Sequence, residues 1–390
     1  MDSKFDEIRP YYDSEIGGAV ERMLKFEYLP DIAAFLKMPS EELYGLLSKC
    51  KSVDDFQNYI MSTVVDRILK NSAKEVTFKG LHFFEDGRKH LLMTNHRDIV
   101  LDSAIIQLVL HNNKIKTTEI AVGDNLISSK FIEDVARSNK MIKVTRSSSP
   151  LEVYNASKLL SEYIRMQITT STSSIWIAQR QGRTKNGVDM TEQGLLKMLS
   201  MSGVGVFKED MNSLSILPIS ISYEFEPCDI QKAYEVYVSR RQKYVKGENE
   251  DFNSILLGML SYKGNIHLQA TEPITEQEVE FCSKFSKNER FSALAKIIDK
   301  QIHKGYKLWP NNYIAADLLA NNIKTPKYGE HYSIEERESF IYYMNNEIDN
   351  LQKNIGAYYK KEITIDIKEL KEIFLRIYAN PLFSKESYLE

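Results

Sequence analysis

Short apolar runs alternate with longer amphipathic stretches through the middle of the chain. The short runs are rich in β-branched and aromatic residues, which is typical of buried strands. They occupy residues 75–78, 91–94, 119–122, 141–144, 174–178, 215–222 and 264–270. Between them, apolar residues recur at helical spacing up to about residue 111 and over residues 127–136, 151–166 and 191–201. This alternation predicts an α/β fold with a mostly parallel sheet flanked by helices.

Both flanks of this region have helical periodicity and little strand signal. We therefore predict an N-terminal helical lobe at residues 1–70, an α/β domain at 71–275 and a C-terminal helical region at 276–390. A basic segment, residues 239–246, is predicted to lie on a long helix that follows Tyr223, where it forms a solvated face. The alternative is that this segment docks to a membrane or to a carrier protein.

Polar residues follow four of the predicted strands, at Asn95-His96, Asp124-Asn125, Arg146 and 179–185. In open α/β sheets, ligands bind at the carboxyl ends of the strands, so these residues predict one composite site. His96 comes directly after a buried strand, and Asp102 is expected in the first turn of the next helix. A carboxylate that fixes the tautomer of an imidazole turns the histidine into a general base. We interpret this pair as the catalytic centre.

Composition excludes several other classes of protein. The net charge is −3, which argues against a nucleic-acid partner. The three cysteines are far apart and the remaining histidines lack ligand spacing, so we predict neither a disulfide framework nor a metal site. The N-terminus shows no apolar signal segment, and no apolar run is long enough to span a membrane. We expect a cytoplasmic protein that meets lipid from the surface, at the inner face of the cytoplasmic membrane.

Four ordered blocks resemble the glycerolipid acyltransferase family, and within it the glycerol-3-phosphate acyltransferase branch. They are the His96…Asp102 pair and the stretches at 122–147, 181–187 and 217–224. The similarity covers roughly residues 75–320. Each block alone is weak, whereas four in order make a specific signal.

The resemblance implies an O-acyltransferase of phospholipid synthesis that needs no cofactor. The donor would be acyl-carrier protein or coenzyme A carrying a fatty acyl thioester, and the acceptor glycerol 3-phosphate or lysophosphatidate. His96 is the expected base, and backbone N–H groups at the start of the next helix are expected to stabilise the oxyanion. The predicted substrate-binding residues are Arg97, Asp124, Asn125, Arg146, Gln181, Gly182, Arg183 and Lys185, of which Arg146, Arg183 and Lys185 suit a phosphate, with help from Arg97.

Two departures from the family pattern leave alternatives open. Five residues separate His96 from Asp102 where the family has four, so Asp98 is a second candidate for the orienting carboxylate. We favour Asp102, and expect Asp98 to cap the helix. Gln181 stands where the family usually carries a glutamate, which favours another hydroxyl- or amine-bearing lipid acceptor as the second reading. A third reading is a lipid-binding protein of the same fold that has lost catalysis.

Overall fold

A single sheet lies at the centre of the protein, whose computed structural model describes residues 3–147, 149–247, 249–321, 325–358 and 365–389. In these residues the sheet has seven strands in the order β1-β7-β6-β2-β5-β3-β4. The strands are β1 Glu75–Lys79, β2 Leu91–Thr94, β3 Glu119–Gly123, β4 Met141–Val144, β5 Ile175–Ala178, β6 Ile216–Tyr223 and β7 Asn265–Ala270.

Five neighbouring strands, from β6 to β4, run parallel to one another. Strand β7 pairs antiparallel with β6, and β1 pairs parallel with β7. The carboxyl ends of β2, β3, β4, β5 and β6 therefore meet at one edge of the sheet. This is the edge at which we predicted the polar residues from the sequence. The predicted α/β fold with a mostly parallel sheet is confirmed.

Helices surround the sheet and form both flanks of the chain. The N-terminal helices are α1 Asp13–Leu24, α2 Leu29–Phe35, α3 Ser40–Lys49, α4 Val53–Asp55 and α5 Ser62–Ser72, with a π-helical turn, Phe56–Met61, joining the last two. Between the strands lie α6 Leu101–Asn112, α7 Lys130–Ser138, α8 Pro150–Thr169, α9 Gln193–Leu199, α10 Phe207–Asn212, α11 Asp229–Ser239 and α12 Glu250–Leu260. After the sheet come α13 Glu276–Ser283, α14 Glu289–Gly305, α15 Pro310–Leu319, α16 Ile334–Tyr358 and α17 Ile367–Leu389. Short 3₁₀ turns occupy Ser3–Phe5, Leu81–Phe84, Asp124–Leu126 and Gly329–His331.

The helix predicted to carry the basic segment is shorter than expected. Helix α11 ends at Ser239, so residues 240–246 lie beyond it. The Arg240 and Arg241 guanidinium groups both pair with the Glu369 carboxylate on α17. This partner lies far along the chain, and the local sequence pattern does not reveal it. The prediction of one helix through this segment was wrong.

The side chains of each strand divide between two hydrophobic layers, because successive residues of a strand point to opposite faces. Leu92 belongs to the layer that the N-terminal helices and α6 build on one face. Leu91 and Met93 belong to the other layer, with α8, α9 and α14. A third apolar cluster joins α11, α15, α16 and α17. The sheet is therefore buried on both faces, which leaves its carboxyl edge as the place for a site.

Candidate active site

The loop between β2 and α6 is shaped by its own carboxylates. The Oδ1 atom of Asp98 accepts hydrogen bonds from the backbone N–H groups of Val100, at 2.9 Å, and Leu101, at 2.8 Å. This is the expected behaviour of a residue that caps a helix. Burial, and next the neighbouring Asp102 charge, raise the pKa of Asp98. No hydrogen bond joins Asp98 to His96 in the described part of the chain.

Asp102 lies in the first turn of α6 and reaches back to the histidine. Its Oδ2 atom is 2.9 Å from Nδ1 of His96, and accepts the backbone N–H groups of Arg97, at 2.6 Å, and Asp98, at 2.9 Å. The Tyr223 hydroxyl, at the end of β6, donates to Oδ1 at 2.8 Å. Burial, and next the Asp102 charge, raise the pKa of the Tyr223 phenol well above its usual value, so it stays a donor. Four donors thus hold one buried carboxylate.

This arrangement can assign a tautomer to His96. A carboxylate oxygen only accepts, so Nδ1 carries the hydrogen and Nε2 keeps its lone pair. No hydrogen bond to Nε2 forms among the residues that the structure describes. The imidazole is only slightly exposed, and its ring lies edge-on to Trp176 with centroids 6.2 Å apart. His96 is therefore oriented to accept a proton from a group in the adjoining cleft.

A cleft of about 430 Å³ opens beside His96 at the carboxyl edge of the sheet. One part of its wall is apolar and comes from the strand ends and from α8 and α9, with Val122, Leu126, Val144, Leu160, Leu195 and Met198. The other part is polar and contains Arg146, Arg180, Gln181 and Glu192. A mixed lining of this kind suits a ligand with a long apolar chain and a charged or polar head.

The structure brings only some of the predicted substrate residues to this cleft. Arg146, Gln181 and Gly182 line it. Asp124 lies beside it, where its carboxylate accepts the backbone N–H of Arg146 at 3.1 Å. Asn125 is turned to α12, and its amide donates to Asp251 at 3.3 Å.

Three predicted cations lie outside the cleft lining and have partners in the interior. The buried guanidinium of Arg97 pairs with Asp189 and Glu226. The Lys185 ammonium pairs with Glu235, and burial lowers the pKa of Lys185 to about 8. Arg183 is also buried.

The Arg183 guanidinium lies near the Cys228 thiol and the Asp98 carboxylate, which favour its charged form while burial opposes it. The phosphate-binding residues expected from the sequence are thus only partly gathered at the cleft.

Four backbone N–H groups at or just before the start of α6 are also occupied. Those of Val100 and Leu101 bind Asp98, and those of Arg97 and Asp98 bind Asp102. An N–H group that already donates to a carboxylate is not available to an oxyanion. These four groups are therefore excluded as oxyanion donors, and stabilisation of a tetrahedral intermediate by other N–H groups of the first turn of α6 stays a prediction.

The loop of residues 179–189 contacts the backbone of His96 and packs against α17. The backbone N–H of Thr184 donates to the His96 carbonyl oxygen at 2.8 Å. Gly187 has a positive φ of 80°, and a Cβ atom there would lie 2.2 Å from the carbonyl oxygen of Ile377 on α17. Only glycine suits this position, because it combines a left-handed backbone with direct contact between loop and helix.

Four residues of the site were not identified from the sequence, namely Trp176, Arg180, Glu192 and Tyr223. Arg180 lies in the polar 179–185 segment, from which we predicted Gln181, Gly182, Arg183 and Lys185 as substrate-binding residues. Tyr223 lies in the last sequence block, but 121 residues separate it from Asp102, so the sequence does not reveal the contact. The pairing of β6 with β2 brings Tyr223 close to Asp102.

Among the described residues, no cluster of three or more histidine, cysteine, aspartate or glutamate side chains could hold a metal ion. The described helices include none that combines the length and apolarity needed to cross a bilayer.

Comparison with known proteins gives two findings. Residues 75–222 match the family model of the acyltransferases. Among solved structures, the chain is similar to the 1-acyl-sn-glycerophosphate (LPA) acyltransferase PlsC from Thermotoga maritima, with 13% sequence identity and a TM-score of 0.38. That similarity covers 73% of this chain and 94% of the other. No curated protein matches the chain.

The structural likeness is too distant to assign a substrate or a mechanism. The match over residues 75–222 contains His96, Asp102 and all of the residues that line the cleft. Over this segment the chain matches the acyltransferase family model, which confirms the family resemblance that its four sequence blocks predicted.

Proposed function

We propose that this acyltransferase moves a fatty acyl chain from a thioester to the hydroxyl of a glycerol phosphate or lysophosphatidate, with His96 as the general base. The observation that carries the proposal is the His96–Asp102 pair, joined at 2.9 Å beside a cleft with one apolar and one charged wall. The acyl chain suits the apolar wall, and a phosphorylated glycerol suits the charged one.

The reaction needs one base and no covalent enzyme intermediate. His96 Nε2 takes the proton of the acceptor hydroxyl while the hydroxyl oxygen attacks the thioester carbonyl carbon. The tetrahedral intermediate collapses, an ester forms and the C–S bond breaks. The leaving thiolate receives the proton from the imidazolium and departs as a thiol. Asp102 keeps the imidazole in the required tautomer and stabilises its charged form.

The donor and the place of the reaction belong to the same proposal. An acyl thioester of acyl-carrier protein or of coenzyme A would serve as the donor. The lipid nature of acceptor and product supports a reaction at a membrane surface, with the protein bound peripherally to the cytoplasmic face.

Another lipid acceptor is the second candidate, and the buried positions of Arg97, Arg183 and Lys185 favour it, because they leave fewer cations for a phosphate. A binding protein that has lost catalysis is less favoured. It would fit a histidine out of reach of both aspartates, whereas Asp102 lies within hydrogen-bond distance of His96.

Lipid analysis of reaction products tests the proposal directly. Purified protein would receive acyl-coenzyme A or acyl-carrier protein together with glycerol 3-phosphate, lysophosphatidate or a lipid acceptor that lacks phosphate. We expect ester formation on a phosphorylated acceptor and a loss of about 10²–10⁴-fold in His96→Ala. His82→Ala is the matched control, because His82 is exposed and outside the cleft lining. Equal turnover by wild type and His96→Ala would exclude the mechanism.

A further inference from the structure

Asp189 is a buried carboxylate at the end of the 179–189 loop, outside the cleft lining. Its Oδ2 atom accepts a hydrogen bond from the Asn95 side-chain amide at 3.2 Å and another from the Arg97 guanidinium. Asn95 and Arg97 are the residues directly before and after His96 in the chain. One oxygen atom of Asp189 therefore binds both neighbours of the histidine.

The other oxygen of Asp189 reaches His96 by a third route. Its Oδ1 atom accepts the Thr184 hydroxyl at 2.8 Å, and the backbone N–H of Thr184 donates to the His96 carbonyl oxygen, also at 2.8 Å. The backbone of Asp189 is itself tied to α14, because its carbonyl oxygen accepts the Nε2–H of His303 at 3.0 Å. Three hydrogen-bonded paths thus join one carboxylate to the backbone around one histidine.

Stability alone does not account for this carboxylate. A buried ion pair often contributes little to stability, because the cost of taking two charges out of water offsets their attraction. The Arg97 guanidinium also has a second buried partner, Glu226, at 3.1 Å. In the described part of the chain, Glu226 makes no hydrogen bond to the other two side chains that Asp189 binds. What Asp189 adds is the link between the 179–189 loop and both sides of His96.

We propose that Asp189 is a positioning residue, which fixes the backbone at His96 so that Nε2 stays directed at the cleft. This inference rests on the proposed function, in which His96 is the base. Asp102 holds the imidazole through Nδ1, whereas Asp189 holds the chain from which the imidazole projects. A displacement of about 1 Å can cost about 10²-fold in rate, so both constraints act on the same proton transfer.

Asp189→Asn tests the proposal, because an amide cannot replace this carboxylate. Its single carbonyl oxygen can serve only one group of donors, and its NH₂ group would face the other. We expect kcat to fall by about 10–100-fold, with the KM values of donor and acceptor within about twofold of wild type. Asp134→Asn is the matched control, because Asp134 is buried, accepts hydrogen bonds from Tyr11 and Arg22, and lies outside the cleft lining. It should lower the thermal midpoint and leave kcat unchanged.

In an active enzyme, three results would overturn the inference. They are an unchanged kcat in Asp189→Asn, an effect confined to KM, and equal falls in kcat for Asp189→Asn and Asp134→Asn. The last result would leave Asp189 with a structural role only.

The NMR signal of the His96 Nδ1 proton gives a readout that needs no turnover. This proton lies in the 2.9 Å contact with Asp102, and its signal is identified by its absence in His96→Ala. We expect the signal to move in Asp189→Asn and to stay in place in Asp134→Asn. An unmoved signal in Asp189→Asn would overturn the inference whatever the value of kcat. If wild type transfers no acyl group, the proposed function fails, and this signal alone decides the role of Asp189.

Thr184→Val covers the case in which Asp189→Asn does not fold. It removes one of the three side-chain donors to the carboxylate and keeps the backbone N–H that binds the His96 carbonyl oxygen. We expect a smaller fall in kcat, of about three- to tenfold, together with a shift of the His96 signal. An unmoved signal in this variant would count against the inference in the same way.

Discussion

The hydroxyl of Tyr223 is the most selective place to perturb the catalytic pair. It donates to Oδ1 of Asp102 at 2.8 Å, on the side of the carboxylate away from His96. Tyr223→Phe removes this one donor and keeps the ring, so the packing of the β6 end is preserved. The buried carboxylate then has three donors instead of four, and one of its oxygens has no partner.

The size of the effect follows from the charge and burial of the pair. A hydrogen bond to a buried charged group is worth about 1.5–3 kcal/mol, so the free energy of unfolding should fall by about 2 kcal/mol. With one donor fewer, Asp102 holds the imidazole less firmly in the orientation that the transition state needs. If roughly half of the lost energy falls on the transition state, kcat drops by about fivefold.

A second tyrosine of the same chain provides the control. The Tyr163 hydroxyl donates to Glu119 at 2.8 Å, and both groups are buried at the opposite edge of the sheet. Tyr163→Phe should therefore lose a similar free energy of unfolding without a change in kcat. The assay is kcat for both variants, with thermal unfolding in parallel. If the kcat of Tyr223→Phe equals that of wild type, Tyr223 has only a structural role.

Three further predictions address the carboxylates and the packing around them. Asp102→Asn should lower kcat by about 10²–10⁴-fold with little change in KM, because it keeps the shape and removes the charge that fixes the imidazole; a change confined to KM would contradict this. Burial raises the pKa of Glu119 from 4.5 to about 7. The folded carboxyl thus binds a proton that the unfolded chain releases, so stability falls by about 3 kcal/mol as pH rises from about 4.5 through 7. Glu119→Gln should remove this part of the pH dependence, and thermal midpoints at pH 5 and 7.5 test it; an unchanged difference between the two midpoints would refute it. Gly258→Ala would bring a methyl group to 2.2 Å from Oδ2 of Asp98 and should destabilise the protein by about 1–3 kcal/mol, as measured by denaturant unfolding. Gly45→Ala, which meets nothing within 4 Å, should instead be neutral or stabilising.

The sequence predicted the sheet well because its strands have local signals. Buried parallel strands are continuous apolar runs, and the amphipathic stretches between them can only be crossover helices. The direction of β7 could not be predicted in this way, because a buried strand has the same pattern whether it pairs parallel or antiparallel. The end of α11 was missed for a related reason, since the Glu369 partner of its basic segment is 128 residues away from Arg241.

The candidate site was predictable where it depends on neighbours along the chain. His96 and Asp102 come from one strand–loop–helix segment, so spacing alone put them close together. The position of the cations depends on distant partners instead. Arg97 pairs in the interior with Glu226, which lies 129 residues later in the chain. Lys185 pairs with Glu235, which lies 50 residues later. Charge and strand-end position therefore identified four candidate cations, and only Arg146 lines the cleft.

The contact between the 179–189 loop and α17 can form only late in the synthesis of the protein. Every residue that lines the cleft precedes α17 in the chain, so the ribosome has made them all before residues 365–389 exist. A nascent chain can thus hold His96, Asp102 and both cleft arginines while Gly187 still lacks the Ile377 carbonyl group against which it packs. The loop that contacts His96 gains this packing contact only once α17 has been translated and has docked. We therefore expect the loop at His96 to reach its final position only after the whole of α17 has been made.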